Sequence, residues 1–473
     1  MRFPVAMLEG NYEKRSNNFN SCFLRNNDLI NLIAFDRLME LLFRKRDIKQ
    51  LAILRIIIGT WFFVDLVSML VSGYVKEAYV EAEMNFAFYG FEWIKPLPGN
   101  GMYWLFVLLS IVTIGIITGY RYRLSLTVFL IGFTYVFMCD IVYTLNKFYL
   151  FLILAFVLLL TDAHKGMSLI NKSEKRDQVD NWQILIFQAL FALIYTLSGV
   201  SKLNPDWLLH AEPLMLFYKK RIPFSWLPSD VYTVMVFVFS YCGMTFDLTI
   251  SWLLAYRKTN LVGNLLQASF HLLNFAILHI GSLSLYSIAI TWLLFPTPWL
   301  KRKLKLSMET TPMEPVKLSQ KKWIVAGLAL FMFINVLVPF RHFIAGTEVN
   351  WTEKGHRFSW RLMTRSKSGS SANFIVVNNQ TGKRIAVSPR PMLTGRQYRK
   401  MAGETDLILC FAHYLRDKYA AEFGHDDVSV YGRVMTKLNG RQRNLLLDPE
   451  LDLSKVSRSF LVDHVSNPKQ PRK

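Results

Sequence analysis

Cysteine is scarce in this chain. Its 473 residues include four, Cys22, Cys139, Cys242 and Cys410, and no two form a CxxC pair. That spacing argues against a disulfide framework, a zinc site and a thiol-relay quinone reductase. Cys139 and Cys242 fall in apolar runs, where a free cysteine behaves as a small buried hydrophobe. No metal site is expected. Acidic residues are also short: 34 Asp and Glu stand against 55 Lys and Arg, a formal net charge of +21. Such an excess could serve nucleic acid, but no nucleic-acid motif accompanies it. Much of the charge sits in short loops beside apolar runs, which suits an anionic membrane lipid surface. No cleavable leader is visible: residues 1–50 are polar and basic, without a short apolar core or a small-residue cleavage site. No internal repeat is found either.

Apolar sequence is what the chain has in plenty, at 52% of residues. Leu51 to Val71, Met102 to Ile117 and Ile324 to Val338 are nearly free of charge, and about 20 such residues cross a hydrocarbon core. Spans are expected at 50–73, 102–120, 124–143, 147–162, 182–200, 231–256, 260–279, 282–297 and 322–340. The third and fourth, and the seventh and eighth, are close enough in sequence to form tight hairpins. Alternate connections are basic. They carry Arg121 and Arg123; Lys165, Lys172, Lys175 and Arg176; Arg257 and Lys258; and a lysine-rich stretch from Lys301 to Lys322. The positive-inside rule then puts the N-terminus in the cytoplasm and the C-terminal part on the opposite side.

The expected fold is a mainly α polytopic membrane helix bundle of about nine transmembrane helices, followed by a small C-terminal α+β soluble domain. Residues 1–49 read as an N-terminal cytoplasmic segment, 50–340 as the transmembrane domain, 341–462 as the soluble domain and 463–473 as a disordered tail. Residues 203–230 mix Trp207, Phe217, Tyr218 and Trp226 with Pro205, Pro213, Pro223 and Pro228. They read as a re-entrant or interfacial segment. In the soluble part, Phe374–Val377 and Arg384–Val387 flank Asn378-Asn379-Gln380-Thr381-Gly382, a hairpin signature. Residues 406–423 have helical periodicity. Val428–Met435 and Arg443–Leu447 flank an Asn439-Gly440 turn.

Three stretches carry candidate chemistry. Ser198-Gly199-Val200-Ser201-Lys202-Leu203-Asn204-Pro205-Asp206-Trp207-Leu208 ends the fifth span. Lys202 there is either a snorkelling lysine or a partly desolvated amine able to act as a general base. Asp206 either pairs with it or caps the segment that follows. In Phe270-His271-Leu272-Leu273-Asn274, His271 and Asn274 share a helix face. They serve either function or helix–helix hydrogen bonding, and His279-Ile280-Gly281 follows one turn away. Asp247 lies in a span and is expected to pair with a neighbouring helix, while Asp162-Ala163-His164 reads as a helix cap. The third stretch, Asn350 to Arg361, is rich in aromatic and basic residues. It reads either as a contact for an acidic substrate or as an interfacial anchor running into the first strand of the soluble domain.

At these residues the sequence resembles the vitamin K-dependent gamma-carboxylase family, within the horizontally transferred transmembrane domain proteins. The resemblance rests on GVSKLNPDWL at 199–208, FHLLN with HIG at 270–281, WTEKGHRFSW at 351–360 and KLNGRQRNLLLDPELDL at 437–453. It extends over residues 50–455. It implies a membrane enzyme that oxidises reduced vitamin K, a hydroquinone, to its epoxide with O2. The reaction is coupled to gamma-carboxylation of peptide glutamate with CO2. The family's basic lysine falls on Lys202. Its quinone-binding His and Asn fall on His271 and Asn274. The peptide-binding stretch falls on His356, Arg357, Phe358, Trp360 and Arg361. Animal members differ in having a second lysine at Ser201 and a tyrosine-rich version of 355–358. They also continue beyond the region of Asp452, which suggests that this chain is a short bacterial member. Two rival readings are an epoxidase without carboxylase activity and a non-catalytic lipid-binding or transport protein.

Overall fold

The computed structural model describes residues 35–169, 175–221, 227–307, 318–344, 348–459, 463 and 465–467. Most of the expected N-terminal segment and disordered tail, and Cys22, Lys172, Pro223 and Trp226, lie outside the described residues.

After a helix α1 (35–43), strand β1 (Lys45–Asp47) pairs antiparallel with β2 (Gln178–Asp180). Asp47 then accepts from the Lys49 backbone N–H at 2.8 Å and caps α2 (Ile48–Val71). The next helices are α3 (Gly101–Thr118), α4 (Tyr122–Cys139), α5 (Asn146–Leu160) and α6 (Trp182–Ser201). Two short helices, α7 (Pro205–His210) and α8 (Leu214–Arg221), follow in the expected interfacial segment. Then come α9 (Ser229–Ala255), α10 (Asn260–Leu278), α11 (Ser282–Leu294), the short α12 (Pro298–Lys303) and α13 (Leu318–Phe340).

Seven of these helices are long and apolar enough to cross a membrane. The two other expected spans are shorter, α5 with 15 residues and α11 with 13. Both still run between the two ends of the bundle. Ser282 at the start of α11 donates to Asp65 of α2 at 2.8 Å, while Gln50, near the start of α2, donates to the Leu293 carbonyl at 2.7 Å. At 1.5 Å per residue α11 rises only about 20 Å, so neighbours and flanking residues complete the crossing. The chain is a multi-pass membrane protein.

The basic connections gather at one end of the bundle. There Arg123 and Lys165 meet Asp162, Arg46 meets Asn181, and Lys49 reaches the Lys305 carbonyl. Asp162 forms ion pairs rather than the expected cap, and His164 stacks on Tyr122 with ring centroids 4.9 Å apart.

The C-terminal part covers the opposite end. Its sheet has the order β4-β3-β5-β6 and is antiparallel throughout: β3 (Lys367–Asn378), β4 (Arg384–Val387), β5 (Val428–Leu438) and β6 (Asn444–Leu445). Helix α16 (Thr405–Phe423) packs Phe411 against Phe374 of β3. Helix α15 (Gly395–Met401) carries a Thr394/Gln397 capping box. Gln397 also donates to the Met84 carbonyl at 2.7 Å and to Asp140 at 2.9 Å, which seats the sheet domain on the bundle. The 350–361 stretch is not a first strand. A helical turn, α14 (Val349–Thr352), leads into turns with left-handed Glu353, Gly355, Phe358, Trp360 and Met363, and pairing starts only at Lys367.

Candidate functional site

Tyr195, Ser198 and Lys202 recur at three- and four-residue spacing, so they form one stripe along α6. Lys202 is the C-cap residue, with its side chain 5% exposed as a residue and folded back over the last turn. Helix α9 approaches closely at Gly199: a Cβ there would meet the Leu248 side chain at 2.7 Å and the Leu248 backbone N at 3.1 Å. This close approach brings Asp247 to the lysine. Lys202 Nζ lies 2.5 Å from Asp247 Oδ2 and 2.8 Å from Ser198 Oγ, and Ser198 Oγ donates to the same Asp247 oxygen at 2.7 Å. The Trp207 ring covers the amine at 5.3 Å. Lys202 therefore does not snorkel. It is a buried amine with a carboxylate in position to exchange a proton with it.

Asp206 does neither of the things expected of it. Asn204 caps α7 by accepting from the Trp207 backbone N–H at 3.1 Å. Asp206 instead meets the C-terminal domain: Arg441 at 2.5 Å and Asn439 at 3.1 Å. Two of the four family-like stretches thus touch each other.

About two helical turns from Lys202, or some 10 Å of rise, the Tyr195 hydroxyl and His271 Nε2 share a hydrogen bond. Gln267, His271 and Asn274 recur at four and three residues along α10, and the Gln267 side-chain carbonyl is buried without a hydrogen-bond partner among the described residues. Phe246 of α9 stacks on Phe270 at 4.0 Å and closes the side of this polar row. α6 and α10 run in the same direction, so Asn274 lies nearer the level of Lys202 than His271 does.

The 356–361 residues form a second cluster, on aromatic side chains of the bundle. Phe358 stacks near Phe88 and Phe137 and sits 4.8 Å from Tyr149, and Trp360 lies 5.2 Å from Tyr149. Arg357 makes a two-pronged ion pair with Glu404, one arm at 2.8 Å. Burial opposes the Arg357 charge, but Glu404 outweighs it and raises the pKa further. Burial, with Arg365 beside it, pushes His356 well below the ordinary histidine range, so the ring is neutral. Burial likewise lowers Arg361. A cavity of about 50 Å³ lies where this stretch meets the bundle, lined by Phe88, Arg341, Lys354, Arg357, Phe358 and Glu404 among others. Beside it Glu353 pairs with Arg365 and, at 3.5 Å, with Lys367. Burial lowers Lys367 to about 8, below the unfolded value of about 10.4. Between those values the unfolded chain binds more protons, so stability is expected to rise as pH climbs from 8 towards 10. Thermal melting across that range should show the rise, and Lys367→Met should flatten it.

Tyr195, Gln267 and Glu404 were not among the candidates read from the sequence, whereas Glu353 lay within the 350–361 stretch. The first two were detectable, since each extends a polar stripe already picked out at helical spacing.

Residues 43–299 match the HTTM domain, and residues 320–469 match the vitamin K-dependent gamma-carboxylase, lumenal domain. The two matches follow one another in the order the sequence motifs suggested. The chain belongs to the vitamin K-dependent gamma-carboxylase family. No solved structure matches it. As a member of that family it is a carboxylase-like membrane protein. The Lys202 cluster falls within the first matched region and the 356–361 cluster within the second.

Proposed function

We propose that this gamma-carboxylase family member oxidises reduced vitamin K to its epoxide with O2 and couples the oxidation to gamma-carboxylation of peptide glutamate with CO2. The observation that carries this reading is the buried Lys202 amine, 2.5 Å from Asp247, where a membrane span meets the C-terminal domain. The polar row on α10, whose Asn274 comes nearest the level of Lys202, fits a lipid-borne hydroquinone. The Gln267 carbonyl, which has no hydrogen-bond partner among the described residues, offers an acceptor for a phenolic hydroxyl, His271 and Asn274 share its helix face, and Phe246 and Phe270 offer flat apolar rings. When bound, reduced vitamin K supplies with O2 the strong base that removes the glutamate γ-proton.

The chain's own part is proton handling and positioning. Lys202 passes its proton to Asp247 and, as the free amine, takes the hydroquinone proton. Ser198 holds both groups in line. Trp207 keeps water from the amine. His356, Arg357, Phe358, Trp360 and Arg361 border the glutamyl peptide. The basic end of the bundle faces the cytoplasm with the N-terminus, and the soluble unit of residues 341–462 faces the opposite side.

Purified protein given vitamin K hydroquinone, O2, CO2 and a glutamyl peptide should form epoxide and fix labelled CO2 in the peptide. Absence of epoxide refutes the reading. A second reading, epoxidation without carboxylation, is favoured by the ion pairing of Arg357 with Glu404 and of Arg365 and Lys367 with Glu353, which occupies cations that a glutamyl peptide would use. Epoxide without fixed CO2 would establish it.

A further inference from the structure

The contact between Asp206 and the Asn439-Gly440-Arg441 turn has a geometry that a simple domain junction does not need. Helix α7 has only six residues, and its two sides face different partners. On one side the Trp207 ring lies 5.3 Å from Lys202 Nζ, and its indole N–H donates to the Ser240 carbonyl of α9 at 3.1 Å. On the other side Asp206, 3% exposed, receives Arg441 at 2.5 Å and Asn439 at 3.1 Å. The helix is thus a thin spacer between the amine and the soluble domain. Both of its faces are fixed.

The turn that reaches it is itself braced. Asn439 donates its backbone N–H to the Ser366 carbonyl at 2.9 Å and accepts from the Ser366 N–H on its side chain at 2.7 Å. Gly440 adopts φ +72°, and a Cβ there would come 2.8 Å from the Glu212 carboxylate. Only glycine lets the turn come this close without strain. On the α7 side, Asn204 ties the helix to α6 by donating to the Ser201 carbonyl at 2.9 Å.

We propose that Arg441 and Asp206 are positioning residues for Lys202: the soluble domain, through this turn, presses α7 and Trp207 into place over the amine. The inference rests on the proposed role of Lys202 as the base. It adds that the soluble domain sets the environment of that base from a point outside the membrane core. The groups facing Lys202 are Ser198 on α6, Asp247 on α9 and Trp207 on α7, with Asp206 behind the spacer. Loosening α7 therefore exposes the Lys202–Asp247 pair to water.

The test compares Arg441→Ala, Asp206→Asn, the charge swap Asp206→Arg with Arg441→Asp, and Lys418→Ala. The last breaks an exposed contact between the same two parts, Lys418 to Glu83 at 2.9 Å, far in sequence from α7. Two readouts are taken on the full-length protein in detergent: the pH profile of epoxide formation, and backbone hydrogen exchange over residues 199–210. Arg441→Ala and Asp206→Asn should lower epoxide formation about tenfold or more, displace the pH profile and speed exchange at 203–210. The swap should recover part of the loss, and Lys418→Ala should do none of this. Equal losses in Lys418→Ala, or an unchanged pH profile and unchanged exchange in Arg441→Ala, would overturn the proposal. The exchange readout needs no turnover. If wild-type protein forms no epoxide, the assignment of Lys202 fails, while exchange still reports whether the clamp holds α7.

Discussion

Lys202→Ala is expected to lower epoxide formation by about 10² to 10⁴-fold, the range a positioned general base contributes. The loss should appear in kcat at saturating hydroquinone, because the proposed quinone row of Gln267, His271 and Asn274 lies on another helix and is left intact. Alanine also strands Asp247, which is 4% exposed and keeps only Ser198 as a described hydrogen-bond partner. Removing one member of a buried pair costs about 3–5 kcal/mol, so poor folding could imitate a catalytic defect. Lys202→Ala combined with Asp247→Asn removes both charges and separates the two causes. If the double variant melts near wild type and still forms no epoxide, the Lys202–Asp247 pair is needed for chemistry and not only for folding. A small primary amine added to Lys202→Ala should restore part of the rate if the lysine serves only as a base. Wild-type rates in Lys202→Ala would end its assignment.

How far the site could be read from the sequence depended on how local each interaction is. The spans were legible because crossing a membrane requires long apolar runs, and the basic loops marked one end of the bundle before any contact was known. The hairpins at Asn378–Gly382 and Asn439–Gly440 were legible because their turns demand particular residues. Helix α15 was missed, although its Thr394/Gln397 box lies in plain sight, because a seven-residue helix leaves little periodicity. Lys202 stood out as a lysine at a span end, but its partner Asp247 is 45 residues away, and the meeting depends on how closely α6 and α9 pack at Gly199. The fate of Asp206 was further still from view. Local rules offer a helix-start aspartate a capping role, and Asn204 two residues earlier took it. The carboxylate then found Arg441, 235 residues on, through the docking of the soluble domain. Long-range pairs of buried charges leave no periodic trace.

Glu353 is another buried charge whose partners hold a turn, here in the soluble domain. It is buried where the 351–361 stretch turns back, at a left-handed φ of 65°, between Arg365 and Lys367. Burial opposes its ionisation, but Arg365, Lys367 and Lys400 overcome it and hold the carboxyl well below the usual range. Glu353→Gln keeps the side-chain shape and length and removes only the charge. It should destabilise the soluble domain by about 3–5 kcal/mol at pH 7, because two buried cations lose their counter-charge. The pH dependence fixes the cause. A carboxyl with a depressed folded pKa stabilises fully above its unfolded value of about 4.3 and loses that contribution as pH falls through the folded value. The gap between wild type and Glu353→Gln should therefore be widest near neutrality and shrink below about pH 4. Denaturation followed by the fluorescence of buried Trp351 and Trp360, at pH 7 and in steps down to pH 3, measures that gap. A gap that is absent at pH 7, or constant down to pH 3, would mean that the Glu353 charge does not hold this turn against the bundle.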